Sequence, residues 1–371
     1  MEQKSYRPAW IEINLSAIQA NIHQLNRRLS STTKIFAVVK ANGYGHGDIQ
    51  VAKAAIEAGA SALAVALMDE AVRLREAGIT VPILVLGWVS PEYIPIAIKH
   101  NIMLTVFQKE WLTAAKQIDF TGELKIHIKL DTGMGRLGMR TEQEIYEFMN
   151  ELDQERFRIT GLFTHFATAD EAEESYYRQQ SDRFEQLAQV VRSQYAEPIQ
   201  LHTGNSAASI RFPDQMLDYV RFGIGMYGLY PSLYMEKTRP FPLQPALSLH
   251  AKIIHVKKIA PGSKLSYGAT YTAEKEEWIG TIPLGYADGI QRKWQGLDVL
   301  IDGKRMPLVG RICMDQCMVK LDQPYPVGTQ VTFVGKQKNE QITLEEIAHQ
   351  LETINYEIAC LFTNRIPRYY H

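Results

Sequence analysis

Three cysteines in 371 residues are too few, and odd in number, for a disulfide framework. Cys313 and Cys317 stand four apart, but one Cys-x3-Cys with no second pair and no nearby histidine is a poor zinc site, and no structural metal is expected. Charge of one sign is also missing. The formal net charge is −1 and no lysine and arginine cluster stands out, so neither nucleic acid nor an anionic membrane is indicated as a partner. No apolar run approaches the about 20 residues of a membrane span. The stretch Met1 to Pro8 lacks the apolar core of a signal peptide, which places the protein in the cytoplasm. Repeats and low-complexity segments are absent. What remains is an ordinary globular composition, 46% hydrophobic, long enough for two domains and a large core, with small molecules as default partners.

The stretch that organises the chain is Ile35 to Gly47. Ile35 to Val39 is a continuous apolar run that stops at Lys40 and is followed by Gly43, Gly45 and Gly47, the pattern of a buried strand opening into a tight loop. A lysine at a lone strand end usually snorkels to solvent. Here the glycines let backbone N–H groups approach an anion and Tyr44 adds a hydroxyl, although the lysine precedes the glycines and the spacing is not that of a nucleotide P-loop. An amine that can form a Schiff base, beside a phosphate-ready loop, suits an aldehyde cofactor carrying a phosphate.

Strand-like runs near 34–39, 62–66, 82–86, 102–106, 124–131, 158–165, 198–203 and 217–222 alternate with amphipathic segments such as Ile49 to Ala58, Glu70 to Ala77, Glu142 to Leu152 and Ala172 to Gln194. An earlier helix, starting near Asn14 or Ser16, is expected to bury Leu15, Ile18, Ile22, Leu25 and Leu29. Eight such units suggest a (β/α)8 barrel, with a doubly wound open sheet as competitor. Lys40, Asp131 with Arg136, His165, His202 and Arg221 all fall at or just beyond C-terminal strand ends, which a barrel gathers into one mouth and an open sheet scatters. The expected fold is therefore α/β, a (β/α)8 TIM-type barrel over residues 12–242. Pro231, Pro240, Pro242 and Pro245 mark a linker, and a mostly β C-terminal domain follows over 243–371, with an N-terminal strand 1–11 packed on it. Its strands include Leu249 to Ile259, Trp278 to Leu284, and Asp298 to Ile301 joined through Asp302-Gly303 to Met306 to Val309, with Leu344 to Leu351 as its one clear helix.

Leu124, Ile126, Ile128 and Leu130 alternate with Lys125, His127, Lys129 and Asp131, so one face is apolar and the other is polar inside the barrel. A Gly-punctuated loop, Asp131 to Arg136, can aim Arg136 into the mouth. Alone, His165 and His202 read as satisfied core histidines. Ser206, where a strand gives way to a short helix, and Arg221 to Gly225, whose glycines leave N–H groups accessible, both suit a phosphate.

Ala37 to Gly47 resembles the pyridoxal-phosphate attachment motif of alanine racemases. So do Asp131 to Gly138, Thr164 to Asp170 and Gly310 to Gln316, in an ordered match from Trp10 to Arg368. Departures are small: Gly43 stands where alanine is frequent, and Phe222 occupies a variable position. The resemblance implies a pyridoxal-phosphate-dependent isomerase interconverting L- and D-alanine for peptidoglycan. Lys40 would hold the cofactor as a Schiff base and act as one base, and Tyr267 would be the other. Phosphate would fall to Tyr44, Ser206, Gly223, Ile224 and Tyr356, Arg221 would face the pyridine nitrogen, and His165 would pack on the ring. Arg136 would reach the phenol oxygen and the substrate carboxylate, and Met314 would offer its backbone N–H to that carboxylate. Lys129 would be a candidate for carbamylation that fixes Arg136, with His202, Tyr286, Cys313 and Asp315 in support. The resemblance also implies an obligatory homodimer, with Tyr267, Tyr286 and Met314 supplied to the partner's site. Two bases on opposite faces of a flat cofactor racemise without rotating anything, but a tyrosine needs a positive neighbour to act near neutral pH.

Two rivals remain at this stage. An amino-acid decarboxylase shares the barrel-plus-β plan and would use Cys313 as acid. A non-catalytic pyridoxal-phosphate carrier would keep Lys40 and the phosphate residues but lack the second domain. The sequence fixes neither side-chain selectivity nor a biosynthetic against a catabolic role.

Overall fold

Apolar runs become strands where the sequence breaks them with glycine, proline and asparagine. The computed structural model describes residues 6–371, so the first five residues of the expected N-terminal strand lie outside the described residues. β1 (Ala9–Ile13) opens the described chain. Eight strands follow in parallel: β2 (Lys34–Val38), β3 (Ala62–Val65), β4 (Ile83–Val85), β5 (Ile102–Val106), β6 (Leu124–Lys129), β7 (Phe157–Phe163), β8 (Gln200–His202) and β9 (Tyr219–Phe222). Their order is β8-β7-β6-β5-β4-β3-β2-β9, and most of their residues are buried on both faces, as in a parallel sheet covered by helices. The seam between β8 and β9 is bridged by the Arg221 N–H donating to the Gly204 carbonyl at 2.8 Å and the Leu201 N–H donating to Asp218 Oδ2 at 2.7 Å. A nearly closed (β/α)8 barrel results.

Helices fall where the apolar periodicity put them, at Asp48–Glu57, Met68–Glu76, Glu142–Glu151 and Ser175–Gln194. The helix Leu15–Asn26 buries Ile18, Ile22 and Leu25, and Leu29 is buried just beyond its end, but Leu15, at its first position, is only half-buried. Pairing of β6 with β7 slips between Ile126 and His127, so that Gly161 opposes His127. A Cβ on Gly161 would overlap the His127 ring, which makes this glycine a space requirement. Gly161→Ala is expected to destabilise the barrel by about 1–3 kcal/mol through overpacking, seen as a lower urea midpoint with an unchanged slope.

The chain divides into two compact units. One is the barrel, Ala17–Gly43 with Asp48–Gln244; the other joins the residues through Ser16, Tyr44–Gly47 and Pro245–His371. In the second unit lie β10 (Leu247–Lys252), β11 (His255–Ile259), β12 (Lys264–Leu265), β13 (Tyr271–Thr272), β14 (Glu277–Ile282), β15 (Asp298–Ile301), β16 (Lys304–Val309), β17 (Cys317–Leu321), β18 (Gln330–Gln337), β19 (Glu340–Ile342) and β20 (Arg368–Tyr370). Its large sheet runs β11-β14-β17-β16-β15-β18-β10-β1-β20, with β19 on β18. β1 is thus an interior strand, antiparallel to β10 and parallel to β20. The Asp302-Gly303 hairpin forms as expected, both residues at positive φ (51° and 75°), the twist that suits a two-residue turn.

Two expectations are corrected in this unit. The run 249–259 is two strands, because Ile253 and Ile254 donate to different carbonyls, Thr329 and Thr281, where the chain leaves β18 for β14. Leu344–Gln350 is followed by a second helix, Asn355–Leu361, which carries Tyr356. Among the described residues no helix is long and apolar enough to cross a membrane.

Candidate functional site at the barrel mouth

Lys40 stands two residues past the end of β2, half-buried, and the chain then turns left-handed. Ala41, Asn42 and Gly43 have φ of 53°, 53° and 59°, and Tyr44 has 50°. Left-handed turns cost about 1–2 kcal/mol per non-glycine residue, and such strain persists only where the surroundings impose it. Here Glu70 helps. It is buried, accepts the Ala41 N–H at 2.6 Å, and takes the Ala66 and Leu67 N–H groups on its other oxygen. The Tyr227 hydroxyl donates to the Val38 carbonyl at 2.9 Å just before the turn.

On the neighbouring strand β9, Arg221 is buried, with no carboxylate among its hydrogen-bond partners in the described residues. It donates to the carbonyls of His202 (2.8 Å), Thr164 (2.7 Å) and Thr203 (3.0 Å), and to Nδ1 of His202 (2.9 Å) and His165 (3.3 Å). Arginine cannot accept, so both histidines present bare Nδ1 atoms. His202 therefore carries its proton on Nε2 and donates to His127 Nδ1 at 2.9 Å, leaving the His127 proton on a buried Nε2 that has no partner among the described residues. Burial and then the Arg221 charge keep all three rings neutral: His127 is pushed down to about 3, and His165 and His202 well below the usual range. Burial and then Arg136 push Arg221 itself down to about 9.

Lys129, the last residue of β6, is buried with its ammonium over the Phe163 ring at 4.8 Å. Burial, then the charges of Arg221 and Arg136, push it down to about 7. The unfolded chain holds that proton to about pH 10.4. Between these values the unfolded state binds more protons, so stability rises with pH as the buried charge is lost. In carbon-dioxide-free buffer, any stability advantage of Lys129→Met over the unaltered protein should be largest below pH 7. It should shrink by about 4 kcal/mol toward pH 10. A difference independent of pH would mean that the amine is not free.

The loop after β6 is stapled by Asp131, whose Oδ1 accepts the Gly133 and Gly135 N–H groups at 3.1 and 3.0 Å, leaving Arg136 exposed at the rim. His165 sits on a loop held by buried Gln180, which donates to the His165 carbonyl and accepts the Ala167 N–H. Lys40, Lys129, Arg136 and Arg221 all act electrostatically on His165, so these side chains converge. One reading needs correction. The Gly223 and Gly225 N–H groups are not open, because both donate to Ser206 Oγ, at 2.9 and 3.3 Å. The buried Ile224 N–H between them donates to no described group.

In the β unit, Tyr44 and Tyr356 face each other with ring centroids 6.2 Å apart. Tyr267 is 73% exposed at the start of a short turn, Tyr267–Ala269. Ser266 beside it donates to the Arg311 carbonyl at 2.6 Å and lies 3.7 Å from the Cys313 sulfur. Tyr286, Cys313, Met314 and Asp315 lie on two loops joined by backbone bonds, Tyr286 N–H to Cys313 O and Ala287 N–H to Met314 O, both 3.0 Å. Sequence reasoning missed Glu70, Gln180 and Arg311. The Arg311 guanidinium stands 2.9 Å from where a Cβ on Gly268 would be, putting a cation one residue from Tyr267. A glutamate three residues into a helix was a readable signal for Glu70; the other two had none.

Residues 13–231 match the family described as alanine racemase, N-terminal domain, and residues 246–370 match alanine racemase, C-terminal domain. Alanine racemase 1 of Bacillus subtilis (strain 168) is 51% identical, covering 98% of this chain and 93% of its own. The crystal structure of alanine racemase from Bacillus anthracis with bound L-Ala-P superimposes with a TM-score of 0.97 at 46% identity, over 99% of this chain and 96% of that one. A histidine racemase from Leuconostoc mesenteroides superimposes with a TM-score of 0.91 at 32% identity, over 100% of both chains. The chain belongs to the alanine racemase family.

Proposed function

We propose that this protein interconverts L- and D-alanine on pyridoxal 5′-phosphate in the cytoplasm, supplying D-alanine for peptidoglycan, with Lys40 and Tyr267 as the two bases. The observation that carries the reading is the convergence of Lys40, Lys129, Arg136 and Arg221 on neutral His165, a cationic mouth with an amine at one strand end. Such a mouth fits an anionic aldehyde. The amine of Lys40 would hold the aldehyde carbon; the buried, undonated Ile224 N–H, the Ser206 hydroxyl, Gly223 and the Tyr44 and Tyr356 hydroxyls suit its phosphate. Bound there, the cofactor supplies the electron sink that makes the substrate Cα–H acidic.

The side chains do the rest. Lys40 Nζ and the Tyr267 hydroxyl exchange a proton with Cα from opposite faces, so neither the substrate nor a base has to rotate. Arg221 would hold the pyridine nitrogen by a hydrogen bond and keep its own proton, since three backbone carbonyls fix it in place and even a value of about 9 leaves it charged near neutrality. His165 would pack on the cofactor ring. Arg136 would bind the phenol oxygen and the substrate carboxylate, and Met314 would offer its N–H to the same carboxylate. With its value near 7, Lys129 holds a reactive free amine at neutral pH. Its attack on carbon dioxide releases one proton and leaves a carbamate anion to fix Arg136.

Two copies are proposed to share each site, with Tyr267, Tyr286 and Met314 given to the partner's centre. Support comes from their exposure on the β unit, 73% for Tyr267, 43% for Tyr286 and 53% for Met314. Incubation with L-alanine tests the activity. D-alanine is expected; released carbon dioxide would favour the decarboxylase, and no change would favour a carrier. Because a histidine racemase shares the fold, rates on alanine, serine and histidine should be measured together, and alanine is expected to lead.

A further inference from the structure

The turn Tyr286–Asp288 has little rigidity of its own, being three residues between Gly285 and Gly289, the latter at φ 106°. Besides Thr363, whose N–H and hydroxyl donate to the Asp288 and Ala287 carbonyls at 3.1 Å each, its place is set by bonds on two sides. On one, its N–H groups join it to Cys313 and Met314, and Gly285 is packed so closely on their carbonyls that a Cβ there would overlap them. On the other, Asp288 is 0% exposed and both of its oxygens are taken by Arg7, Nη1 to Oδ2 and Nη2 to Oδ1, at 2.8 Å each. Asp288 Oδ2 also accepts the Gly285 N–H at 3.0 Å. Arg365 stands 3.6 Å from Asp288 and binds Asp315 at 2.6 Å, and its carbonyl accepts from Arg7 at 3.1 Å. The chain Arg7–Asp288 and Arg365–Asp315 thus ties both loops to one anchor.

That anchor is rigid. Arg7 accepts the Ala9 N–H at 2.8 Å on its own carbonyl, two residues before β1, and β1 is held on both sides by β10 and β20. What the two loops leave outward is the Tyr286 ring, the Met314 side chain and the Met314 N–H, which donates to no described group. We propose that Arg7 is a positioning residue: through the Asp288 carboxylate it fixes the loop pair that presents the Met314 N–H to the substrate carboxylate. The proposal rests on the assignment of Met314 above. Removing Arg7 leaves a buried carboxylate whose remaining cation is the more distant Arg365, so the turn keeps its Thr363 bonds but loses the pairing that fixes the Asp288 side chain.

The test compares Arg7→Gln and Arg7→Lys with the unaltered holoenzyme by two readouts. Amide hydrogen exchange on peptides spanning 284–290 and 312–316 reports the loops whether or not the protein racemises anything. Arg7→Gln should speed exchange in both peptides by about tenfold or more while leaving the barrel peptides unchanged. Steady-state kinetics with L-alanine should give a KM raised about tenfold or more with kcat within about threefold, the pattern of a lost binding contact. Arg7→Lys keeps the charge, folds more readily, and should fall between, since an ammonium cannot match the two-pronged pairing. Unchanged exchange in both variants would overturn the proposal outright. Faster exchange with KM unmoved would leave Arg7 a structural staple and overturn its role toward substrate. If the unaltered protein makes no D-alanine, the racemase reading fails while the exchange arm still decides whether Arg7 holds the loops.

Discussion

Lys40→Ala is expected to leave the protein folded and without measurable racemase activity. The side chain is half-buried at the end of β2 and contributes nothing to the apolar core, so its removal opens no internal cavity. It does remove two functions at once. A positioned general base contributes about 10²–10⁴ in rate, and the same amine is the proposed covalent anchor for the cofactor. The strained turn behind it argues for function too. Ala41, Asn42 and Tyr44 are non-glycine residues at φ near 50°, and the buried Glu70 carboxylate is committed to holding the first of them. Borohydride reduction and peptide mapping of the unaltered holoenzyme should place the cofactor on the peptide containing Lys40, and the variant should retain none after gel filtration. Activity within tenfold of the unaltered protein, or a label on Lys129 or Lys264, would overturn the assignment.

The architecture was legible because its signal is local. Ile83-Leu84-Val85 is a short β-branched-rich run between Pro82 and Gly87, a local strand signal, and the eight such runs appear within a few residues of their expected places. Reading the polar residues at strand ends was enough to choose a barrel over an open sheet, since Lys129 and His202 end their strands, Lys40 lies two residues past β2 and Arg221 is the last residue but one of β9. Contacts between distant segments were not legible. Alternation put His127 inside the barrel, but nothing local said that Gly161 would make room for its ring or that His202 would donate to it. The Gly223 and Gly225 N–H groups looked open from the glycines alone, whereas their closure by Ser206 depends on the start of the helix Ser206–Arg211, seventeen residues before Gly223. Helix Asn355–Leu361 escaped because seven residues with only Asn355, Ile358 and Ala359 buried make too short a pattern. Arg7 shows the same limit most plainly, since its partner lies 281 residues along the chain.

A mixture of two dead variants should regain activity. If one centre takes Lys40 from one subunit and Tyr267 from the other, Lys40→Ala and Tyr267→Phe homodimers each lack one base in every site. The structure makes Tyr267 a fitting donor to a second copy: it is 73% exposed, and Met314 at 53% exposed lies on the same β unit. Neither is arranged as a core residue. In a mixed dimer of two-fold symmetry both lesions fall in one centre, and the other inherits an intact lysine and an intact tyrosine. Random re-pairing after co-unfolding or co-expression makes half the dimers mixed, so about a quarter of all sites should recover. That is a large rise over components expected to lie about 10²-fold or more below the unaltered enzyme. If both bases came from one chain, every centre in the mixture would still lack one of them and no activity would return. Two affinity tags, one per variant, isolate the mixed dimer and fix its amount. Rescue in that fraction at about half the specific activity of the unaltered dimer is the expected result. An inactive mixed dimer would reject the shared centre while leaving the family assignment untouched.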